Sequence, residues 1–223
     1  MAPQYTLTRP MAIESNEERG NDMAKRILVT GGAGFIGSYV CRKLLARNYQ
    51  PIVYDAFIQY VSPFESIYQK ALELRFKDIK EHIVFERGDT REKNHIRKII
   101  VKYKPEVILH LANLPIADLS FTHTEEALGS IINGTVNILD VIREVDFVKR
   151  FVYASSSSAY GDTPTLPKKE DMKPSPLSPY AVSKLTGEYY CKVFTEVYDL
   201  PTICLRYFNV YGPRQDPLGE YAA

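Results

Sequence analysis

Tyr180 and Lys184 have the residue types and the spacing to move a proton. Residues four apart are neighbours on one face of a helix. A phenol is a poor base because its pKa is ~10, but an ammonium ~4 Å away at an effective dielectric of ~20 favours the phenolate by about 4 kcal/mol. A tyrosine so placed can exchange a proton with a substrate hydroxyl near neutral pH. Alone the pair is weak evidence, because the same spacing occurs on many solvated helices.

A glycine-rich turn far upstream strengthens the case. The run Val29-Thr30-Gly31-Gly32-Ala33-Gly34-Phe35-Ile36-Gly37 follows a short apolar segment and precedes an amphipathic helical pattern over 38–47. Its glycines fit the dinucleotide fingerprint and its GxxGxxG variant, which need a tight turn, close approach to a pyrophosphate and close packing of helix on strand. The strand–turn–helix context favours a dinucleotide site over a glycine turn without a ligand. Its predicted cofactor contacts are Gly31, Gly34, Phe35, Ile36 and Gly37.

Asp55 is the acidic partner that such a site requires. It closes a second apolar run, 51–55, and lies 18 residues after Gly37. A carboxylate there can accept both ribose hydroxyls of adenosine and would repel a 2′-phosphate. No arginine or lysine follows until Lys70. The sequence therefore predicts NAD as the cofactor rather than NADP, with a solvated strand-end aspartate as the alternative reading of Asp55.

Taken together, these blocks resemble the extended short-chain dehydrogenase/reductase family, particularly its nucleotide-sugar epimerases, from about Lys25 to the C-terminus. The resemblance implies that Asp89, in Gly88-Asp89-Thr90, accepts from the adenine amino group. It also implies that Ser156, four residues before Tyr160, is the catalytic hydroxyl and a substrate contact. Asn209 would contact the substrate diphosphate. The remaining cofactor contacts that it implies are Thr90, Leu111, Ala112, Asn113, Ser130, Tyr180, Lys184 and Phe208.

Two positions depart from the family pattern. Ile131 stands where relatives usually have asparagine, which makes Ser130 the expected cofactor contact. Pro115 stands where some epimerases have a lysine that reaches the cofactor ribose. Neither departure removes a group that transfers a proton or a hydride.

The implied reaction is inversion at C4 of a nucleotide sugar, expected to be a UDP-sugar, through a transient 4-keto sugar. Tyr180 would take the proton of the 4-hydroxyl, Lys184 would lower the pKa of Tyr180 and bond the nicotinamide ribose, and Ser156 would bond the same sugar oxygen. Related dehydratases carry Asp-Glu directly after the hydroxyl residue, and decarboxylases usually keep a carboxylate there, whereas this chain has Ser157 and Ser158. The alternatives are a dehydratase, decarboxylase or reductase of the same family, or a non-catalytic NAD-binding module.

Composition excludes several other classes. The 223 residues are 45% hydrophobic and 25% charged, enough for one sizeable core, and the net charge of +1 gives no electrostatic case for nucleic acid or an anionic membrane. No apolar run approaches the ~18 residues of a membrane span. Three cysteines in apolar contexts suggest reduced thiols of a cytoplasmic protein. The four histidines show no metal-ligand spacing, so no metal site is predicted.

Alternating apolar runs predict an α/β fold, a Rossmann-type doubly wound parallel sheet. The predicted strands are 26–30, 51–55, 83–87, 106–110, 150–155 and 201–206, and the predicted helices are 35–47, 64–78, 91–103, 121–145 and 178–198. Residues 1–24 are predicted to be a flexible extension and 25–223 an NAD-binding domain. The resemblance implies that full-length relatives continue into a smaller C-terminal substrate lobe. Most of that lobe is expected to lie outside these 223 residues, either because the sequence is a fragment or because another chain supplies the remainder. The resemblance also implies a homodimer through helices 121–145 and 178–198. The apolar side chains expected to form its seam, with the intramolecular core as the alternative, are Ile131, Ile132, Val136, Leu139 and Val193.

Overall fold

Six parallel strands form one sheet in the computed structural model, which describes residues 24–58, 68–113 and 118–215. The sheet order is β3-β2-β1-β4-β5-β6. The strands are β1 (Arg26–Thr30), β2 (Gln50–Asp55), β3 (Val84–Arg87), β4 (Val107–His110), β5 (Arg150–Ser156) and β6 (Thr202–Tyr207). This is the strand order of doubly wound dinucleotide-binding sheets, with the order reversing between β1 and β4. The predicted fold class is confirmed.

Helices cover both faces of the sheet. They are α1 (Phe35–Leu45), α2 (Tyr68–Phe76), α3 (Lys93–Tyr103), α4 (Leu119–Thr122), α5 (Thr124–Leu128), α6 (Gly134–Ile142) and α7 (Pro179–Tyr198). Along β1, Ile27 and Val29 join an apolar cluster with Cys41 of α1, whereas Leu28 joins a second cluster with Ile138 of α6. Alternate residues of a strand face opposite sides, so the two clusters are the two apolar layers of the sheet.

The strands match their predicted bounds to within one residue, and helices α1, α3 and α7 match to within two. The prediction of one continuous helix over 121–145 is wrong. His123 breaks it between α4 and α5 with φ −123° and ψ 53°, a π-helical turn, Gly129–Asn133, interrupts it again, and α6 ends at Ile142. The second interruption lies where the backbone packs closely on the loop after β3, because a Cβ on Gly134 would be 2.4 Å from Thr90 Oγ1.

Several predictions concern residues that lie outside the described ranges: nearly all of the 1–24 extension, the start of the 64–78 helix, Pro115 and residues 216–223. Within the described ranges, none of the helices combines the length and apolar character needed to cross a membrane. The same ranges contain no cluster of three or more histidine, cysteine or acidic side chains placed to hold a metal ion. Cys41, Cys191 and Cys204 are free thiols.

Candidate active site

The predicted site residues gather at the carboxyl edge of the sheet. The glycine turn follows β1, Asp55 ends β2, Asp89 and Thr90 follow β3, and Ser156 ends β5. The other strand-end candidates are Leu111, Ala112 and Asn113 after β4 and Phe208 and Asn209 after β6. Because all six strands are parallel, these positions share one edge, which is where ligands bind in open α/β sheets.

The glycine turn is shaped by close backbone approach. Gly31 has φ +65°, and a Cβ there would lie 2.6 Å from Ala112 N. A Cβ on Gly37 would lie 2.4 Å from Gly32 O, so any larger residue would push α1 away from the turn. Helix α1 begins after Gly34 without a capping side chain. Its N-terminal backbone N–H groups and helix dipole fit the phosphates of a dinucleotide.

Asp55 is tied to the same turn. Its Oδ2 accepts from Ala33 N at 3.0 Å, and its Oδ1 accepts from Phe57 N at 2.9 Å. Burial raises the pKa of this carboxyl, while these hydrogen bonds and the Arg75 charge act in the opposite direction. Arg75 is itself buried and donates to Arg214 O and Ala33 O. A cation therefore lies near Asp55 although none is close in sequence.

The Asp89 carboxylate faces Arg91. Arg91 donates from its backbone N–H at 2.8 Å, from Nε at 3.0 Å to each carboxylate oxygen, and from Nη2 at 2.6 Å. Burial raises the pKa of Asp89, but the Arg91 hydrogen bonds outweigh it and the pKa lies below its usual value. An adenine amino group would share this carboxylate with Arg91.

Ser130, the other predicted cofactor contact in this region, lies in the π-helical turn, where its hydroxyl donates to Glu126 O at 2.7 Å.

Helix α7 positions Tyr180 and Lys184. Its start is fixed by Ser178, whose Oγ accepts from Ala181 N at 3.1 Å, and by Pro179 in the first turn. Tyr180 N donates to Ser120 Oγ at 3.1 Å, which joins this turn to α4. One helical turn later, Lys184 Nζ lies 5.6 Å from the centre of the Tyr180 ring. The predicted proximity on one helix face is thus present.

Lys184 also reaches the end of β5. Its Nζ donates to Ala154 O at 2.7 Å and lies 5.3 Å from the centre of the Tyr153 ring. The side chain is 2% exposed, and burial lowers its pKa to about 7. Burial therefore disfavours the protonated form of Lys184, whereas the spacing from Tyr180 alone predicts a cation. The difference arises because spacing along a helix carries no information on desolvation.

Ser156 lies two residues after Ala154. It is the N-cap of a 3-10 turn, Ser157–Tyr160, and its Oγ accepts from Ser158 N at 3.1 Å and from Ser158 Oγ at 2.9 Å. Because Lys184 Nζ donates to Ala154 O, the ammonium group of α7 is held next to the end of β5 that carries the Ser156 hydroxyl. Ser156, Tyr180 and Lys184 are thereby brought to one region of the molecule.

The β4 and β6 ends are differently packed. Asn113 Nδ2 donates to Leu111 O at 2.7 Å, and Ala112 N donates to Thr30 Oγ1 at 3.4 Å, so this loop is pinned to the glycine turn. Phe208 is 60% exposed and stacks on Tyr160, with ring centres 6.3 Å apart. Asn209 is exposed.

His110, which ends β4, is buried between Thr30 Oγ1 at 2.6 Å and Thr135 Oγ1 at 3.0 Å. Burial lowers its pKa to about 3, so it is neutral.

The family model described as GDP-mannose 4,6 dehydratase matches residues 28–220. The chain belongs to this family. Membership of the short-chain dehydrogenase/reductase nucleotide-sugar enzymes, predicted from the motifs, is confirmed.

Individual relatives in the family show how far the match extends. The chain is 39% identical over 199 residues to a putative UDP-glucose 4-epimerase of Methanocaldococcus jannaschii, covering 87% of this chain and 59% of that protein. Proteins named as dTDP-glucose 4,6-dehydratases are also among the relatives. The chain thus spans about three fifths of the length of the curated relatives that it matches.

Solved structures with similar folds cover about the same share of this chain as the sequence relatives do. A UDP-glucose 4-epimerase from Thermotoga maritima, solved with UDP-glucose, matches with a TM-score of 0.76 and 32% identity, over 87% of this chain and 59% of that one. A UDP-glucuronic acid 4-epimerase from Bacillus cereus, solved with UDP-glucuronic acid and NAD, matches with a TM-score of 0.77 and 32% identity, over 88% and 60%.

Sequence reasoning missed a polar network beside the family motifs. Glu188 accepts from Arg206 Nε at 2.9 Å and Nη2 at 2.7 Å, and also from the Ser155 hydroxyl. The network ties α7 to β5 and β6 next to Ser156. Arg206 also lies over the Tyr160 ring, 4.6 Å from its centre. A signal was available, because Glu188 extends the four-residue spacing of Tyr180 and Lys184 by one step along the same helix face.

Proposed function

We propose that this chain is the NAD-binding part of an enzyme that inverts C4 of a nucleotide sugar, with a UDP-sugar as substrate. The observation that carries the proposal is the junction of α7 with β5. There Lys184 Nζ lies beside the Tyr180 ring and donates to the carbonyl of Ala154, which is two residues before Ser156 in β5. Simple binding of a dinucleotide does not require a tyrosine, a buried lysine and a serine hydroxyl together.

The carboxyl edge has the chemistry to hold NAD. The glycine turn and the start of α1 would take the pyrophosphate, Asp55 the adenosine ribose, and Asp89 with Thr90 the adenine end. Lys184 would bond the nicotinamide ribose, with Phe208 bordering the nicotinamide. NAD, when bound, supplies a group that accepts a hydride from the sugar and returns it.

The residues of the chain handle the proton of the sugar 4-hydroxyl. Tyr180 acts as the base that removes this proton and later returns it. Ser156 donates a hydrogen bond to the same sugar oxygen, which stabilises the charge that develops there. Asn209 holds the diphosphate, so that the sugar is positioned while its ring turns to present the other face.

Ser157 and Ser158 favour epimerisation over dehydration. Elimination across C5 and C6 needs an acid and a base close to the sugar, and these two positions after Ser156 carry hydroxyls rather than carboxylates. The competing proposal is a 4,6-dehydratase, which is favoured by the description of the matching family model and by relatives with that name. A non-catalytic NAD-binding module is the second competitor.

Product analysis decides among these proposals. The chain, extended by the C-terminal region that its family members possess, is incubated with NAD and a UDP-sugar, and the sugars are separated by chromatography. We expect the 4-epimer without net consumption of NAD. A 4-keto-6-deoxy sugar or a decarboxylated pentose as the main product would refute the epimerase proposal, and no sugar product would support the binding module.

Tyr180→Phe tests the assignment of the base. It deletes only the proton-transfer oxygen, so we expect activity to fall by roughly 10²–10⁴-fold while NAD binding stays near the wild-type level. Tyr189→Phe, on an exposed part of α7, is the matched control and should keep its activity. Full activity in Tyr180→Phe would show that another group takes the proton.

A further inference from the structure

We propose that Ser158 is a positioning residue that sets the direction of the Ser156 hydroxyl proton. The inference rests on the proposed function, since it concerns the hydroxyl assigned there to the sugar oxygen. In the family motif, Ser158 is distinguished only by the absence of a carboxylate.

A serine hydroxyl has one proton to donate and two lone pairs that accept hydrogen bonds. Ser158 donates to Ser156 Oγ twice, from its backbone N–H at 3.1 Å and from its hydroxyl at 2.9 Å. Both lone pairs of Ser156 are then used. The only capacity left on Ser156 is its own proton, so towards any further group it acts as a donor.

The turn that carries Ser158 is held firmly on both sides. Ala159 and Tyr160 are buried, Ala159 O accepts from Ser175 N at 3.0 Å, and Gly161 N donates to Ser158 O at 3.1 Å. Ser156 itself is the last residue of β5 and is paired with Tyr207 of β6. The two donors of Ser158 therefore keep a fixed direction towards Ser156 Oγ.

This arrangement separates the roles of the two hydroxyls that would meet a sugar 4-hydroxyl. With its lone pairs filled, Ser156 cannot accept the sugar proton, which leaves Tyr180 as the acceptor. Without the Ser158 hydroxyl, Ser156 regains one lone pair. It can then accept from the sugar in an orientation that binds the substrate but does not stabilise the oxygen as it loses its proton.

Kinetics of the NAD-loaded, full-length protein test the role. Ser158→Ala should lower kcat for sugar oxidation about tenfold, the equivalent of one ordinary hydrogen bond, and leave KM close to the wild-type value. Ser158→Thr keeps a hydroxyl and should restore most of the rate. Ser157→Ala, in the same turn, removes a hydroxyl that is not bonded to Ser156 in the described structure, so it should not reproduce the selective loss of kcat seen in Ser158→Ala.

A double mutant separates positioning from structural damage. If Ser158 acts through Ser156, Ser158→Ala should have no further effect on kcat in a Ser156→Ala background. An equal slowing in both backgrounds, or wild-type kcat in Ser158→Ala, overturns the inference. The product distinguishes this failure from that of the proposed function, because a dehydratase would oxidise the same carbon and still report on Ser158.

Amide hydrogen exchange in the ligand-free 223-residue chain gives a readout without catalysis. Ser156→Ala removes the acceptor of Ser158 N–H, so the Ser158 amide should exchange faster, whereas Ser157→Ala should leave it unchanged. An unchanged Ser158 amide in Ser156→Ala would overturn the hydrogen-bond arrangement on which the inference is built.

Discussion

Asp55 is the residue on which cofactor choice is expected to depend. A 2′-phosphate would approach this partly buried carboxylate, whose oxygens already accept from two backbone N–H groups and cannot easily turn away. We therefore expect NAD to bind at least about tenfold more tightly than NADP, with Asp55→Asn narrowing that ratio. Calorimetric titration with both cofactors measures it. A preference for NADP would instead give the nearby Arg75 the role of a phosphate ligand.

Lys184 makes stability depend on pH in a direction that can be worked out. Its pKa is about 7 when folded against a usual value of 10.5, so between these pH values the unfolded chain binds a proton that the folded chain does not. The free energy of unfolding should therefore fall as pH is lowered from above 10 towards 7, and level off below.

The variant Lys184→Met isolates this dependence. Comparison with wild type removes the contribution of other groups that titrate near pH 10. We expect the variant to be as stable as wild type or more so at pH 7, and the difference to shrink as pH rises. Urea unfolding at several pH values gives the measurement. A difference that does not change with pH would mean that Lys184 is charged in the folded chain.

At the scale of elements, α7 has an outer apolar stripe that the sheet does not use. Val182, Tyr189, Val193 and Val197 lie at helical spacing and are each 46–63% exposed. The stripe differs from the dimer seam suggested by sequence. Ile131 and Leu139, which were predicted to contribute, are 0% exposed and belong to the core, whereas Val193 is available.

We expect this stripe to form the homodimer contact predicted from the family. Val193→Asp should shift the protein towards monomer at tens of micromolar, because a charge would be buried in the contact. Leu74→Asp is the matched control, since Leu74 is 63% exposed on α2, and it should leave the association unchanged. Sedimentation equilibrium provides the test, and a wild-type protein that is monomeric throughout would contradict the dimer.

Sequence patterns identified elements well where local and global preferences agree. The strands were found because buried parallel strands are short continuous apolar runs bounded by turn residues. The 121–145 region was predicted as one helix because its apolar periodicity persists through both breaks. Those breaks depend on contacts made elsewhere, such as Gly134 against Thr90, which no local pattern contains.

In the candidate site, too, residues placed by local sequence were predicted, whereas contacts between distant elements were not. Asp55, Tyr180 and Ser156 were identified from spacing and block order, because their positions are set by the ends of regular elements. The Arg206–Glu188 pair and the nearby charge of Arg75 escaped notice, because each joins elements distant in sequence. Burial of Lys184, and hence its lowered pKa, likewise depends on how three elements pack together.

At the scale of the whole molecule, β6 is an edge strand of the sheet with exposed apolar side chains. Ile203 and Leu205 of β6 are 37% and 38% exposed, and Asn209 beyond them is exposed. The chain spans about three fifths of the length of the relatives that it matches, and we expect the remaining part of such proteins to help position the sugar. On that expectation, the 223-residue chain should bind NAD but turn over a UDP-sugar slowly. The extended version should be faster by at least about 10²-fold. Comparison of kcat/KM for the two forms measures this difference in rate. Equal values would show that the 223-residue chain is sufficient for turnover.

The central position of β1 has a consequence for how the chain acquires its structure. Thr30 and His110, hydrogen-bonded partners at the ends of β1 and β4, are 80 residues apart. During synthesis, β1 can pair with β2 early, but its other edge stays open until β4 has left the ribosome. Closing so long a segment is costly in entropy, and folding of such non-local pairings is slow. The half-formed sheet, with an apolar open edge, is then the species that molecular chaperones would need to shield from aggregation.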